Sequence, residues 1–308
     1  MIQKEASAID YLFREEHKLD ARTTPYVTNY VLSITVSILE HYLSLSIELD
    51  LFTGHHDLSI AFWYWDFLMS TQLNVSNMML MAKVERDKLQ QTIILQEEQN
   101  NAPTKLKREK KKGKRGEKGK RGGNKGGTTS AYTPPEMTAE DVEDQINYLI
   151  LGLKRTLCRG TVRFIAALTQ AGICKKPKYE FTSQEKRYEK RFELFQTVNH
   201  PPALKYDDYV QGSDFSSVSQ LELITSASEC FKSAKVIVDN ILENIVKVDK
   251  LYLAVRKEEV MKLAKVCVGN NLYLHKMLLQ AQKGNDLSNS VMMMDFKSHN
   301  QFCSITIN

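Results

Sequence analysis

Apolar residues recur every three or four positions along most of this chain, and that period predicts helices. Residues 4–20 read either as a short helix with Ile9, Leu12 and Phe13 on one side or as a mobile end. Thr23-Thr24-Pro25 marks the next start, because proline is tolerated in a first helical turn. Val27, Val31, Ile34, Ile38, Tyr42, Leu45 and Leu49 then step along a long amphipathic helix to about Phe52, and Gly54 breaks it. A second long helix restarts near His56 or Asp57. Its run Phe62-Trp63-Tyr64-Trp65 is apolar nearly all round, which predicts burial on several sides. Leu68, Met69, Leu73, Met78 and Met81 continue it. Beyond Lys83 the composition turns polar up to Asn101, so the helix is expected to project from the core.

The second half repeats the pattern. Val142, Ile146, Leu149, Leu153, Leu157, Phe164 and Leu168 give a long helix that ends at Gly172. Lys154, Arg155, Arg159 and Arg163 read as its solvated basic face. Tyr206 to Ser217 reads as a loop. Ser219 with Glu222 has capping-box spacing, and Ile224, Ala227, Phe231, Ala234, Val238, Ile241 and Ile245 follow along one helical face. Val260–Val268 and Leu272–Leu279 read as two helices parted by Gly269-Asn270. Phe302 to Ile307 alternates loosely and predicts a lone strand or extended tail, able to join a partner's sheet edge. The fold class is therefore all-α, an array of long amphipathic helices with an extended C-terminal tail. Residues 1–99 form N-terminal helices, and 136–308 a helical region expected to pack with 20–99 as one domain.

Between them, residues 100–135 form a Lys/Gly-rich insert with too little apolar content to repay ordering entropy, so disorder is expected. Charge separates it from the rest. From Lys105 to Lys125 twelve basic residues face two glutamates, a local +10, which leaves −5 for the remainder of a chain whose net charge is +5. Lys110, Lys111, Lys112, Lys114, Arg115, Lys118, Lys120 and Arg121 are its centre. Either it is a solvated linker or it is an electrostatic hook for RNA or another polyanion, salt-sensitive and weakly specific because no aromatics interleave. Gly113, Gly116, Gly119 and Gly122 fall every third residue, but four triplets without proline do not make collagen. Gly122 and Gly127 have P-loop separation, but Thr128 stands where lysine is needed.

Little points to catalysis. The chain shows no G-x-S-x-G, no H-E-x-x-H and no dinucleotide fingerprint, and no cofactor is implied. His55-His56-Asp57 is the one tight histidine cluster, but adjacent histidines diverge on a helix, which argues against a metal pair. Cys158, Cys174, Cys230, Cys267 and Cys303 lack CxxC spacing and suit a reducing compartment. Cys174 beside Lys175-Lys176 invites a lowered thiol pKa, but no base accompanies it, and a structural role is expected. No signal-peptide pattern opens the chain. The best span candidate, Tyr26 to Leu51, is interrupted by Asn29, Glu40, His41, Glu48 and Asp50, so no membrane is expected.

The densest stretch is Lys175–Pro202, KKPKYEFTSQEKRYEKRFELFQTVNHPP. Lys176-Pro177-Lys178 leads in extended. Thr182 and Glu185 have capping-box spacing, and Tyr188, Phe192 and Phe195 fall on one face at i, i+4 and i+7. Arg187 and Arg191 lie one turn apart and suit carboxylate partners, in the core or on another chain. Pro201-Pro202 is a rigid exit. The unit is either an amphipathic cap on the helical core or a recognition surface with an aromatic centre and a basic rim.

This stretch resembles the signature segment of the large auxiliary subunit of the NatC N-terminal acetyltransferase: a K-P-K-[FY]-E lead-in (Lys176 to Glu180), an R-Y-E-x-R-F helix (Arg187 to Phe192) and the Pro-Pro exit. The aromatic run into Leu68-Met69-Ser70-Thr71, the lysine-rich insert, and Phe296 to His299 before an apolar tail agree in order. The resemblance covers nearly all of this chain and corresponds to the C-terminal part of the family's length, as in a fragment, a short isoform or a truncated gene model. It implies a non-catalytic scaffold that holds a GNAT-fold catalytic subunit and a small Sm-like subunit. It further implies co-translational acetylation of Met-hydrophobic N-termini in the cytoplasm, with acetyl-CoA left to the catalytic subunit. The insert would then dock near ribosomal RNA. The competing reading is a stand-alone helical RNA- or polyanion-binding protein that works through the insert.

Overall fold

The computed structural model describes residues 2–20, 22–101, 139–175, 177, 180–198, 201–246, 251–283 and 290–307. The described residues are overwhelmingly α-helical, as the periodicity predicts. Six long or medium helices follow one another in space: α1 (Ile2–Glu16), α2 (Tyr26–Glu48), α3 (His55–Asn101), α4 (Ala139–Gln170), α8 (Gln220–Val246) and α9 (Leu251–Gln282). Each packs on the next in that order, so the molecule is built as a quasi-one-dimensional array. Three short helices, α5 (Phe181–Arg191), α6 (Glu193–Gln196) and α7 (Tyr206–Gly212), and a two-stranded hairpin complete it. Lys110, Lys111, Lys112, Lys114, Arg115, Lys118, Lys120 and Arg121 lie outside the described residues.

The helices closest to the middle of the array follow their patterns. In α8 all seven predicted positions from Ile224 to Ile245 are buried, and Ser219 and Glu222 form the predicted capping box, with Ser219 N–H donating to Glu222 Oε2 at 2.9 Å. In α4 Val142, Ile146, Leu153, Leu157, Phe164 and Leu168 are buried, and Gly172 closes the helix at φ 75°. Gly160 sits where α4 meets α8, and a Cβ there would come within 3.1 Å of the Phe231 ring. The basic residues of α4 are not a solvated face. Lys154 Nζ lies 2.9 Å from Glu40, Arg159 Nε lies 2.8 Å from Asp66, and Arg163 donates to Cys230 Sγ at 3.0 Å. They cross the seams between neighbouring helices.

Helices α1, α2 and α9 and the C-terminal tail differ from expectation. Helix α1 turns Ala6 and Asp10 inward, while Ile9 and Leu12 stay exposed. Asp10 caps the next helix. Its carboxylate accepts the amides of Tyr26, Val27 and Thr28 at 2.8–3.0 Å and the Thr28 hydroxyl at 2.8 Å. Burial raises the Asp10 pKa, but these donors outweigh it and hold the carboxyl below its ordinary value. Helix α2 is rotated from the predicted face. Val36, Leu39, Leu43 and Ile47 are buried, whereas Ile34, Ile38, Tyr42, Leu45 and Leu49 are exposed. Ser44 and Ser46 can share the buried face because their hydroxyls donate to the carbonyls of His41 and Tyr42. With apolar residues on both faces, α2 is the one described helix long and apolar enough to cross a membrane by length and composition.

Helix α9 runs straight through Gly269-Asn270 instead of breaking there. Asn270 is fully buried, and its amide holds the C-terminal strand: Nδ2 donates to Cys303 O at 3.1 Å and Oδ1 accepts Ile305 N–H at 2.7 Å. The tail is not a lone strand. β1 (Met292–Asp295) and β2 (Ser304–Ile307) pair antiparallel, with Met292 opposite Ile307. Phe302 inserts between elements and stacks on Trp65, centroids 4.9 Å apart. His299 Nδ1 accepts the amides of Gln301 and Phe302, which sets the turn.

Two outcomes follow from the hairpin. Asn270→Leu strands the buried N–H of Ile305 and the carbonyl of Cys303, at about 1–3 kcal/mol for each orphaned group, and hydrogen exchange at Ser304–Ile307 should accelerate while α8 stays protected. Burial, with Lys154 and Lys262 nearby and Glu48 opposing, lowers the His299 pKa from 6.5 to about 4. The unfolded chain therefore binds a proton below pH 6.5 that the native protein refuses until about pH 4. Stability is fully present above pH 6.5 and falls across that window by on the order of 3 kcal/mol. Denaturant titrations at several pH values should show this slope flattened in His299→Gln; an unchanged slope assigns it elsewhere.

Candidate functional site

The Lys175–Pro202 stretch folds as a broken helix over the start of α3. Helix α5 begins at Phe181 with Glu180 at the cap position, so Thr182 lies inside the helix and the predicted Thr182/Glu185 capping box does not form. The Glu180 carbonyl instead accepts the amides of Ser183 and Gln184. The helix stops at Arg191, Phe192 forms the joint at φ −103° and ψ 18°, and α6 adds one more turn. Lys176 and Lys178 lie outside the described residues, and Pro177 is exposed.

Despite the break, the three predicted rings converge. Tyr188, Phe192 and Phe195 are 2%, 2% and 1% exposed. Phe192 stacks face to face on Tyr64 of α3 at 4.7 Å, and Phe195 meets the same ring edge-on at 4.7 Å. Tyr188 lies 4.5 Å from Phe192, Phe52 lies 5.9 Å from it, and Tyr42 of α2 meets Phe195 at 5.7 Å. Such pairs contribute roughly 0.5–1.5 kcal/mol each beyond the area they bury. The polar tips are satisfied by one residue of the exit segment: Tyr188 Oη donates to Leu204 O at 2.9 Å, and Tyr64 Oη accepts Leu204 N–H at 3.3 Å. Burial pushes the Tyr64 phenol up to about 12 and Tyr188 higher still, so both remain neutral.

The arginines find their carboxylate inside the chain. Asp57, in the first turn of α3 and 6% exposed at its side chain, receives Arg191 Nη2 at 2.8 Å and Arg187 Nη2 at 3.3 Å. Arg191 also lies over the Phe52 ring at 5.5 Å. The neighbouring histidines are fasteners of the same corner. His55 Nε2 lies 2.8 Å from Lys175 O, and His56 meets Tyr209 edge-on at 5.9 Å. Burial lowers the His56 pKa, against a raising influence of Asp57. Among the described residues no three His, Cys, Asp or Glu side chains gather closely enough to hold a metal ion.

The segment read as a loop contains α7, whose Tyr206 and Tyr209 are buried against the unit; Tyr206 lies 5.7 Å from Tyr188. The alternation of Tyr206 and Tyr209 at i, i+3, with Asp208 accepting the Lys205 amide at 2.7 Å, is the short-helix signal that was present in the sequence. A groove of about 350 Å³ opens between the start of α3, the end of α4 and α7, lined by His55, His56, Ile165, Lys175, Pro177 and Tyr209. Cys174 is buried, its Sγ faces Met292 Sδ at 3.3 Å, and burial raises its thiol pKa to about 11 rather than lowering it. What this arrangement can do is hold α3, the exit segment and α7 in one fixed relation.

A family model described as "NAA35-like, TPR repeats" matches residues 1–305. Two curated proteins named "N-alpha-acetyltransferase 35, NatC auxiliary subunit", from Homo sapiens and Gallus gallus, are 34% and 33% identical over 113 residues. A Drosophila melanogaster homologue is 31% identical over 96 residues. The human alignment covers 33% of this chain and 16% of the relative, so the matched part is a minor share of the curated proteins' length.

The rings face the protein's own core in this arrangement. The double substitution Tyr188→Ala, Phe192→Ala should therefore unfold this corner, at about 3–5 kcal/mol per ring, seen as a lowered denaturant midpoint. A variant of unchanged stability would return the rings to a surface role.

Proposed function

Because this chain belongs to the NAA35-like, TPR-repeat family, we propose that it is an auxiliary subunit of a NatC-type N-terminal acetyltransferase. The family match over residues 1–305 carries this reading, and the curated relatives are named as auxiliary subunits. The chain acts as a non-catalytic scaffold: it holds a GNAT-fold catalytic subunit and, with it, a small Sm-like subunit. The assembled enzyme acetylates nascent chains that begin with Met followed by a hydrophobic residue, in the cytoplasm and close to the ribosome. The helical regions on either side of the insert work as one domain, with Arg187, Tyr188, Arg191 and Phe192 as its organising unit and Lys176-Pro177-Lys178 as the lead-in.

The fold suits such a task. A scaffold needs rigid, extended surface, and a helical array supplies it. The outer face of α2 presents Tyr30, Ile34, Ile38, Tyr42, Leu45 and Leu49, all exposed by more than a third. A continuous apolar stripe of this kind marks an interaction surface more often than free solvent-facing surface. The +10 insert favours a second reading, a polyanion-binding protein that needs no acetyltransferase.

Co-expression of the full chain with a NatC-type catalytic subunit, with and without residues 105–126, separates the two. Recovery of the catalytic subunit with both forms is the expected result, together with salt-sensitive ribosome co-sedimentation that is lost on deletion. Recovery of RNA and ribosomal proteins alone, abolished by the deletion, would leave the scaffold reading without support.

A further inference from the structure

Helix α9 carries no acidic residue between Val260 and Gln282, but it does carry Lys262, Lys265, His275 and Lys276. Between it and α8 lies a groove of about 380 Å³. Phe231 and Cys267, both fully buried, form its floor, and Val268 and Leu272, 55% and 53% exposed, form an apolar wall one helical turn apart. Lys232, Lys235 and His275 line the rim. Lys265 precedes Val268 by three residues and Lys276 follows Leu272 by four, so both belong to the same side of the helix. The acids nearest this surface on α8 are Glu229, one turn before Lys232, and Asp239, bonded to Lys235 at 2.5 Å; on α9, Glu258 holds Lys262 at 2.8 Å. Lys276 rests over the Tyr273 ring at 4.7 Å.

We propose that the α8–α9 groove docks an acidic amphipathic helix of a partner protein. The charge pattern selects the sign of the partner, because the groove is lined by Lys232, Lys235 and His275 and by no acid, and α9 adds Lys265 and Lys276 on the same side. The wall selects its form. Two apolar side chains at i and i+4 opposite Phe231 match the i, i+3, i+4, i+7 anchors of a helix laid in a groove. RNA tracks phosphate charge and stacks its bases on exposed aromatic faces; Phe231 is buried, and aliphatic Val268 and Leu272 offer no such platform. The groove is separate from the aromatic unit around Tyr188, and this assignment does not rest on the acetyltransferase reading.

Fluorescence anisotropy on the full chain tests it with three labelled probes: a synthetic amphipathic helix with leucine anchors and a glutamate rim, the same helix with a lysine rim, and a uridine oligonucleotide. The glutamate-rimmed helix should bind, and Leu272→Glu should weaken it by about tenfold or more, as loss of a central anchor does. Lys232→Glu with Lys235→Glu should invert the preference toward the lysine-rimmed helix. Residues 232 and 272 are exposed, so melts of Leu272→Glu by circular dichroism should match the parent's, and the lysine double variant, which also breaks the Lys235–Asp239 pair, is read at a temperature where its own melt shows it folded. Absence of binding by either helix overturns the proposal. So does binding insensitive to Leu272→Glu, or displacement of the helix by the oligonucleotide in the parent and in Leu272→Glu alike.

Discussion

The structure depends on one short run of α3 that is used from two sides. Tyr64 receives Phe192 and Phe195 from the broken helix α5–α6, and Trp65 and Phe62 receive Phe302 from the C-terminal hairpin. Tyr64 is 1% exposed, and Phe62 and Trp65 are fully buried. A helix in a repeat array normally offers two faces to its neighbours and leaves the rest to solvent. Here the remaining faces are also occupied, so residues more than a hundred positions away in either segment are fixed relative to α2 and α4. Aromatic side chains suit this use because they bury large areas through few rotatable bonds.

Buried polar side chains then fix the order in which these pieces can pack. Asp10 holds the amides at the start of α2, Asp57 holds Arg187 and Arg191, and Asn270 holds both an acceptor and a donor of β2. Each lies on one long or medium helix and reaches a different element. Apolar packing alone tolerates sliding by a turn, whereas a buried carboxylate or amide left without partners costs more than its bond contributes. These residues thus specify register. They also explain why none of them builds a reactive centre: every one is already saturated by the chain itself.

Legibility followed the number of apolar stripes a helix carries. In α8, packed between α4 and α9, the one stripe from Ile224 to Ile245 is the buried one. In α2 two apolar stripes compete. Periodicity favours the one through Ile34, Ile38, Tyr42 and Leu45, but packing chose the other, which tolerates serines because their hydroxyls return to the helix backbone. The same limit governs Gly269-Asn270. As sequence they look like a helix break, yet Asn270 is needed by a strand thirty-odd residues later, a requirement no local window contains. The central unit was legible in its aromatic spacing and its two arginines. The missing term was Asp57, and sequence separation of 130 residues hides such a partner.

The same arithmetic of partners bears on what kind of protein this is. Catalytic groups are held by their surroundings in states they would not otherwise keep, and their pKa values show it. Here the clear perturbations among the described residues come mostly from burial, which keeps tyrosines and cysteines neutral, raises Asp66 against its arginine partners and lowers His56 and His299, while backbone and hydroxyl donors lower Asp10. The features that suit the proposed scaffold lie on the surface: an apolar stripe left open on α2, and a basic-rimmed groove between α8 and α9. Exposed apolar and basic surface of this kind fits the proposed scaffold role, and the α3 core, packed from both sides, ties the α5–α6 unit and the C-terminal hairpin into one frame.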